Sequence, residues 1–178
     1  MIINPFVFAI VPVTAFTKTL SGQDLFTGFT GVARVTAAQM TIPGYSPTQI
    51  RVTLRGGSTN GLVTNGVFVG HQATSGDAMD FAAGPAPAAP VQLLFGGSGS
   101  VSAPASTDVV SDWMNFTWDK VSNLLIACQA SGTTYFASEA DAAFANWYKP
   151  GADAATVNKT GYTGPVAGHI LVRQIEFR

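Results

Sequence analysis

Charged side chains are scarce in this sequence. Asp, Glu, Lys and Arg make up 11% of its 178 residues, whereas a typical globular protein carries about 25%. A soluble chain normally keeps itself in solution with mixed surface charge. This chain must therefore cover its surface with uncharged polar residues or bury part of that surface against partners. The second option predicts a subunit of an assembly, and the first is compatible with secreted or carbohydrate-binding proteins.

Cysteine and histidine are also rare. Cys128 is the single thiol, which excludes an internal disulfide. It lies in the apolar run at residues 124–128, where a free cysteine usually acts as a small buried hydrophobe. His71 and His169 are the two histidines, and neither has the spacing of a known metal motif. We expect both to be half-exposed imidazoles at strand ends.

Features of membrane and nucleic-acid proteins are missing too. No apolar run approaches the roughly 20 residues that cross a bilayer, so no membrane insertion is expected. The nine basic residues are scattered and the formal net charge is −1, which argues against nucleic acid as a partner. The first residues lack a basic group before their apolar run and are interrupted by Pro5 and Pro12, unlike a signal peptide. We expect the protein to be made in a cytoplasm.

What the sequence does contain is a series of short β-type runs separated by glycine, proline and serine. Ile50, Val52 and Leu54 alternate with polar residues, which is the period of a strand with one wet face. Three runs are apolar on both faces, as strands covered on both sides are: residues 6–11, 91–95 and 124–130. Residues 84–90 (GPAPAAP) are predicted to form a stiff loop inside one domain.

The spacing of these runs predicts one domain over residues 1–178. We expect an all-β fold, an antiparallel β-sandwich of jelly-roll-like type with about eight strands. Helix is predicted to be minor, a turn or two over residues 138–147 (SEADAAFANW), with Ser138 as the cap.

No catalytic residue, metal site or cofactor is predicted. The sequence has no nucleophile elbow, P-loop or dinucleotide fingerprint. Asp77 and Asp80 could share a calcium ion in a loop, but calcium takes about six to eight oxygen ligands, and capping or solvation of a turn is the favoured interpretation.

Aromatic residues provide the clearest candidate site. Five of them gather in a stretch rich in alanine, serine and asparagine: Tyr135, Phe136, Phe144, Trp147 and Tyr148. Three interpretations stay open. The rings could close one end of the sandwich, contact a neighbouring subunit, or stack on a glycan, since aromatic side chains bury much area at small entropic cost. Trp147, Tyr148, Tyr135 and Tyr162 are the candidate interface residues.

One stretch resembles a known family. Residues 91–105 (VQLLFGGSGSVSAPA), followed by residues 108–112 (DVVSD), are similar to the β-sandwich accessory modules beside bacterial SGNH (GDSL-type) hydrolase domains, and to phage virion proteins that use comparable modules. Residues 124–132, Trp147-Tyr148 and residues 161–164 (GYTG) resemble the downstream strands and loop of those modules. The likeness covers about half of the chain.

The resemblance implies the sandwich scaffold and not the esterase. The Gly-Asp-Ser nucleophile block is absent, since residues 75–77 read Ser-Gly-Asp, and no Asp-x-x-His pair closes the chain. We therefore expect a non-enzymatic structural or attachment protein of a phage-like virion, contacting itself, other virion subunits or a host-surface glycan. A stand-alone carbohydrate-binding module is the alternative, and a hydrolase with an unrecognised site is a third hypothesis.

Overall fold

β-Strands dominate the molecule, as the sequence predicts. The computed structural model describes residues 11–82 and 90–178. Within them the helical structure is a single 3₁₀ turn, Ala37–Gln39. The strands, in chain order, are β1 (Val13–Thr17), β2 (Gly22–Thr27), β3 (Phe29–Val35), β4 (Gln49–Arg55), β5 (Leu62–His71), β6 (Val91–Gln92), β7 (Val101–Ala103), β8 (Asp108–Val110), β9 (Met114–Asn115), β10 (Leu124–Ala130), β11 (Thr133–Glu139), β12 (Ala145–Pro150), β13 (Thr163–Ala167), β14 (His169–Ile170) and β15 (Val172–Phe177).

The strands form three sheets in which all pairings are antiparallel. Sheet A has the order β1-β15-β4-β8, with β9 also paired to β4. Sheet B has the order β14-β11-β2. Sheet C has the order β13-β12-β3-β10-β5-β6, with β7 also paired to β5. The antiparallel sandwich predicted from the sequence is confirmed.

The main core lies between sheets A and C. Ile50, Val52 and Leu54 of sheet A are fully buried and belong to the same apolar cluster as Leu124, Ile126 and Cys128 of sheet C. The alternation on β4 therefore marks the inward face correctly. Phe116 and Trp118 are buried in this cluster too, and Met114 packs partly against it.

A second apolar layer covers the outer face of sheet C. Leu125 and Ala127 of β10 pack there with Trp147 and with the loop residues Phe81 and Ala154. Residues 124–128 of β10 are consequently buried on both faces, which confirms the prediction for that run. Cys128 is fully buried, as expected.

A buried lysine ties this covering layer together. The ammonium of Lys159 donates to the carbonyl oxygens of Asp153 (3.1 Å), Ala154 (3.3 Å) and Thr156. The Lys159 backbone N–H donates to the Asp80 carboxylate at 2.6 Å, and the other Asp80 oxygen accepts from the Asp77 N–H at 2.9 Å. The Asp80 carboxylate therefore caps this turn and Asp77 is exposed to solvent, in line with the capping or solvation favoured for these two aspartates.

Three expectations need correction. The described chain has fifteen strands and not about eight, because several edge segments are only two or three residues long. The helix predicted over residues 138–147 is absent: β11 and β12 occupy its two ends. Between them Asp141 accepts from the Ala143 N–H at 2.9 Å and closes a tight turn.

The third correction concerns His169, which is buried and not half-exposed. Its ring lies edge-on to Phe16 and tilted against Phe144, at centroid distances of 5.3 and 4.5 Å. His71 is half-buried, as expected for a strand end. Most of the predicted strand at residues 6–11 and of the loop at residues 84–90 lies outside the described residues.

Candidate functional site

An open groove lies between the edge of sheet B and the edge of sheet C. Its volume is about 390 Å³, within the roughly 300–1,000 Å³ range of small-ligand sites. One wall comes from β2 and the start of β3, and the other from β12 and β13. The lining residues are Asp24, Leu25, Phe26, Phe29, Asn146, Tyr148 and Val166.

Two glycines shape this corner of the molecule. Gly28, with φ of +66°, separates β2 of sheet B from β3 of sheet C, and Gly168, with φ of +136°, separates β13 of sheet C from β14 of sheet B. These φ values are ones that side-chain-bearing residues rarely adopt. The chain therefore passes between the two sheets at glycine on both sides of the groove.

Asn146 fixes the wall formed by β13. Its side-chain amide donates to the carbonyl oxygens of Val166 (3.2 Å) and Gly168 (3.0 Å). Both amide hydrogens are thereby used, and the Oδ1 atom accepts no hydrogen bond from the described residues. Asn146 is 6% exposed, so it supports the groove from beneath.

The apolar part of the groove is an aromatic cluster. The Phe29 and Tyr148 rings have centroids 6.0 Å apart, and Phe26 meets each of them edge-on at 6.4 Å. Phe26 is itself stacked on the buried Phe136 at 4.3 Å. Tyr148 remains half-exposed, so its position is held by neighbours on one side while part of its ring is open to solvent.

The charged part of the groove is acidic. Asp24 is exposed, and its carboxylate makes no ion pair or hydrogen bond with the residues that the structure describes. A neighbouring recess of about 200 Å³ shares Asp24, Asn146 and Val166 with the groove and adds Glu139 and His169. The Ser21 hydroxyl donates to Glu139 at 2.6 Å, which lowers the pKa of that carboxyl.

The remaining ionisable groups of this region supply no free cation. Burial lowers the pKa of His169 to about 4, so its imidazole is neutral at physiological pH, with Nε2 2.7 Å from the Val172 carbonyl oxygen. Lys18, whose charge acts on Glu139, is paired with Asp141 at 2.5 Å. The groove and the recess therefore present carboxylates and no lysine or arginine among the described residues.

The four predicted interface residues are not brought together. Tyr148 lines the groove, but Trp147 is 2% exposed and packs in the layer outside sheet C. The expectation that Trp147 is presented to a partner is corrected, because the alternation of β12 turns it away from Tyr148. Tyr162 packs against that outer layer, with the Lys149 ammonium 5.8 Å from its ring. Tyr135, on β11, is half-buried and pairs with Leu25 of β2.

Sequence reasoning missed most of the groove: Asp24, Leu25, Phe26, Phe29, Asn146 and Val166. Asn146 and Tyr148 had a usable signal, since residues two apart on a strand share a face. Asp24 and Leu25 had none, because their role depends on how β2 approaches β12 and β13.

Neither a reactive thiol nor a metal-binding cluster occurs among the described residues. Complete burial raises the pKa of the Cys128 thiol well above its ordinary value, which disfavours the reactive thiolate. No group of three or more His, Cys, Asp or Glu in residues 11–82 and 90–178 could hold a metal ion. Over the same residues, no helix has the length and apolar character to cross a membrane.

No known protein family matches this chain, and no curated protein resembles it at a significant level.

Proposed function

We propose that the protein is a non-enzymatic structural or attachment subunit of a phage-like virion, assembling with itself or with other virion proteins. The observation that carries the proposal is the placement of exposed aliphatic side chains. Leu25 (58% exposed), Val110 (45%) and Val166 (42%) lie on β2, β8 and β13, which are edge strands of sheets B, A and C. Each sheet therefore offers an apolar side chain at an edge, and Val110, which does not line the groove between β2 and β12–β13, is the one that we assign to the subunit contact.

The three sheet edges carry few charged residues, and this supports the same proposal. Natural sheets protect their edges with charged residues and proline, and each of these edges has one such device: Asp24 on β2, Asp108 on β8 and Pro165 on β13. Strand addition is disfavoured by these residues, while side-chain contact is not. Contacts between subunits would then be made by side chains around a rigid sandwich, as the resemblance to virion modules also suggests.

Light scattering on the purified chain tests assembly. We expect a mass that is a multiple of the 18.5 kDa monomer at micromolar concentration. Val110→Asp should weaken assembly, because it places a charge in an apolar contact. Val121→Asp is the matched control, since Val121 is 77% exposed but lies outside the strands. A monomer at every concentration would contradict assembly of the chain with itself.

A stand-alone carbohydrate-binding module is the second candidate. The groove favours it, because Tyr148 and Asp24 combine an aromatic face with a free carboxylate. The two candidates differ in oligomeric state: a module of this kind should be monomeric and bind sugar, and its Val110→Asp variant should behave like the unaltered protein.

A further inference from the structure

We propose that the groove between β2 and β12–β13 binds an oligosaccharide of uncharged sugars, with one ring against Tyr148 and hydroxyl groups donating to Asp24. The inference rests on the proposed attachment function and names the ligand of the recognition surface. It follows from the hydrogen-bonding character, the charge and the shape of the groove.

The hydrogen-bonding groups of the groove call for a ligand rich in donors. The Asp24 carboxylate can only accept, and Asn146 has spent both amide hydrogens on Val166 and Gly168, which leaves its Oδ1 as an acceptor. A sugar carries several hydroxyl donors on one ring. Hydrogen bonds to an ionised carboxylate are about twice as strong as neutral ones, so Asp24 would contribute most of the polar binding energy.

The charge of the groove selects against anionic ligands. Asp24 is the carboxylate of the groove and Glu139 lies in the adjoining recess, and no lysine or arginine lines either of them among the described residues. Sialic acid, uronic acids and phosphorylated sugars would therefore meet like charge. A neutral sugar avoids this repulsion and still satisfies the acceptors.

The shape fits a flat, amphipathic ligand. The half-exposed ring of Tyr148 lines an open groove together with Val166, and its orientation is held by Phe26 and Phe29. The C–H face of a pyranose can pack on such a ring while its hydroxyls point to Asp24. The recess beyond Asp24, of about 200 Å³, extends the site, so a chain of two or more sugars can be accommodated.

The test is titration of the isotope-labelled full chain, followed by NMR, with neutral trisaccharides (maltotriose, cellotriose and chitotriose) and with sialyllactose as an acidic probe. We expect at least one neutral trisaccharide to shift the signals of Leu25 and Val166 saturably, and sialyllactose to bind more weakly. Asp24→Asn, which keeps the shape of the side chain, should weaken binding by roughly tenfold. Tyr148→Ala should abolish measurable binding.

Tyr135→Ala is the matched control, because Tyr135 is half-buried on the neighbouring β11 and does not line the groove. It should bind sugar like the unaltered protein. The inference is overturned if no neutral trisaccharide shifts the groove signals, if sialyllactose binds as tightly as they do, or if Asp24→Asn leaves affinity unchanged. An oligomeric chain that binds no sugar refutes this inference alone, whereas a sugar-binding monomer refutes self-assembly alone.

Discussion

Trp147 and Tyr148 are consecutive on β12, and their rings lie on opposite faces of sheet C. Trp147 packs in the outer layer with Val32, Leu125 and Phe81, while Tyr148 packs against Phe26 and Phe29 at the groove. Side chains of a strand alternate between its two faces. Two aromatic residues that look like one patch in the sequence therefore have different roles, one in stability and the other at the surface.

Trp147→Ala should lower stability and leave assembly and sugar binding unchanged. Removing a buried aromatic side chain typically costs about 3–5 kcal/mol of unfolding free energy, and urea denaturation would measure the loss. Tyr148→Ala should cost clearly less, because its ring is half-exposed. If Trp147→Ala kept full stability but weakened assembly, the burial described for Trp147 would be wrong for the protein in solution.

Trp118→Ala should be similarly destabilising, by about 3–5 kcal/mol. The Trp118 ring is stacked on Phe177 at 5.0 Å, and its indole N–H donates to the Ser122 carbonyl oxygen at 2.9 Å. Trp113→Ala is the comparison, since Trp113 is half-exposed between the guanidinium groups of Arg51 and Arg178, at 4.6 and 4.5 Å. Equal losses in the two variants would contradict the assignment of Trp118 to the core.

The stability of the fold should depend on pH through His169. Burial lowers its pKa from the ordinary 6.5 to about 4 in the folded protein, so between these values the unfolded chain binds more protons. The contribution of neutral His169 is then complete above pH 6.5 and is lost progressively as the pH falls toward 4. This loss of stability can be measured as the unfolding free energy from pH 7 to pH 4, for the unaltered protein and for His169→Gln.

The difference between those two curves isolates His169 from the carboxylates, which titrate in both proteins. As the pH falls, the unfolding free energy of the unaltered protein should decrease more than that of His169→Gln. The His71→Gln variant keeps His169 and should still lose stability in acid. Parallel curves for the unaltered protein and His169→Gln would mean that the imidazole has the same pKa in the folded and the unfolded protein.

The protein should not hydrolyse simple acyl esters. Ser75 lies in an exposed turn and His169 is buried against Phe16 and Phe144, so neither is placed as a hydrolase nucleophile or base. The unaltered protein, Ser75→Ala and His169→Ala should all hydrolyse p-nitrophenyl acetate at the same rate. A rate that disappears in either variant would reveal an esterase site.

The fold class can be predicted from local sequence patterns, because strand periodicity and turn residues act over short stretches of chain. Such patterns predict three features of the structure: the alternation of residues 49–55, the burial of residues 124–128 on both faces of their strand, and the burial of Cys128. Local sequence patterns did not predict the turn at residues 141–144. Residues 138–147 have a plausible helix cap, yet pairing of β11 with β2 and of β12 with β3 outweighs that weak propensity.

The set of residues that line the groove depends on the tertiary structure. Asp24 and Tyr148 are far apart in sequence and meet because β2 and β12 belong to different sheets that approach at the corner where Gly28 and Gly168 let the chain cross. Burial of His169 likewise depends on contacts with Phe16 of β1 and with Phe144 of the turn before β12. Local patterns specify which face of a strand is apolar, but which strands become neighbours depends on long-range pairing, and the candidate site is built from that pairing.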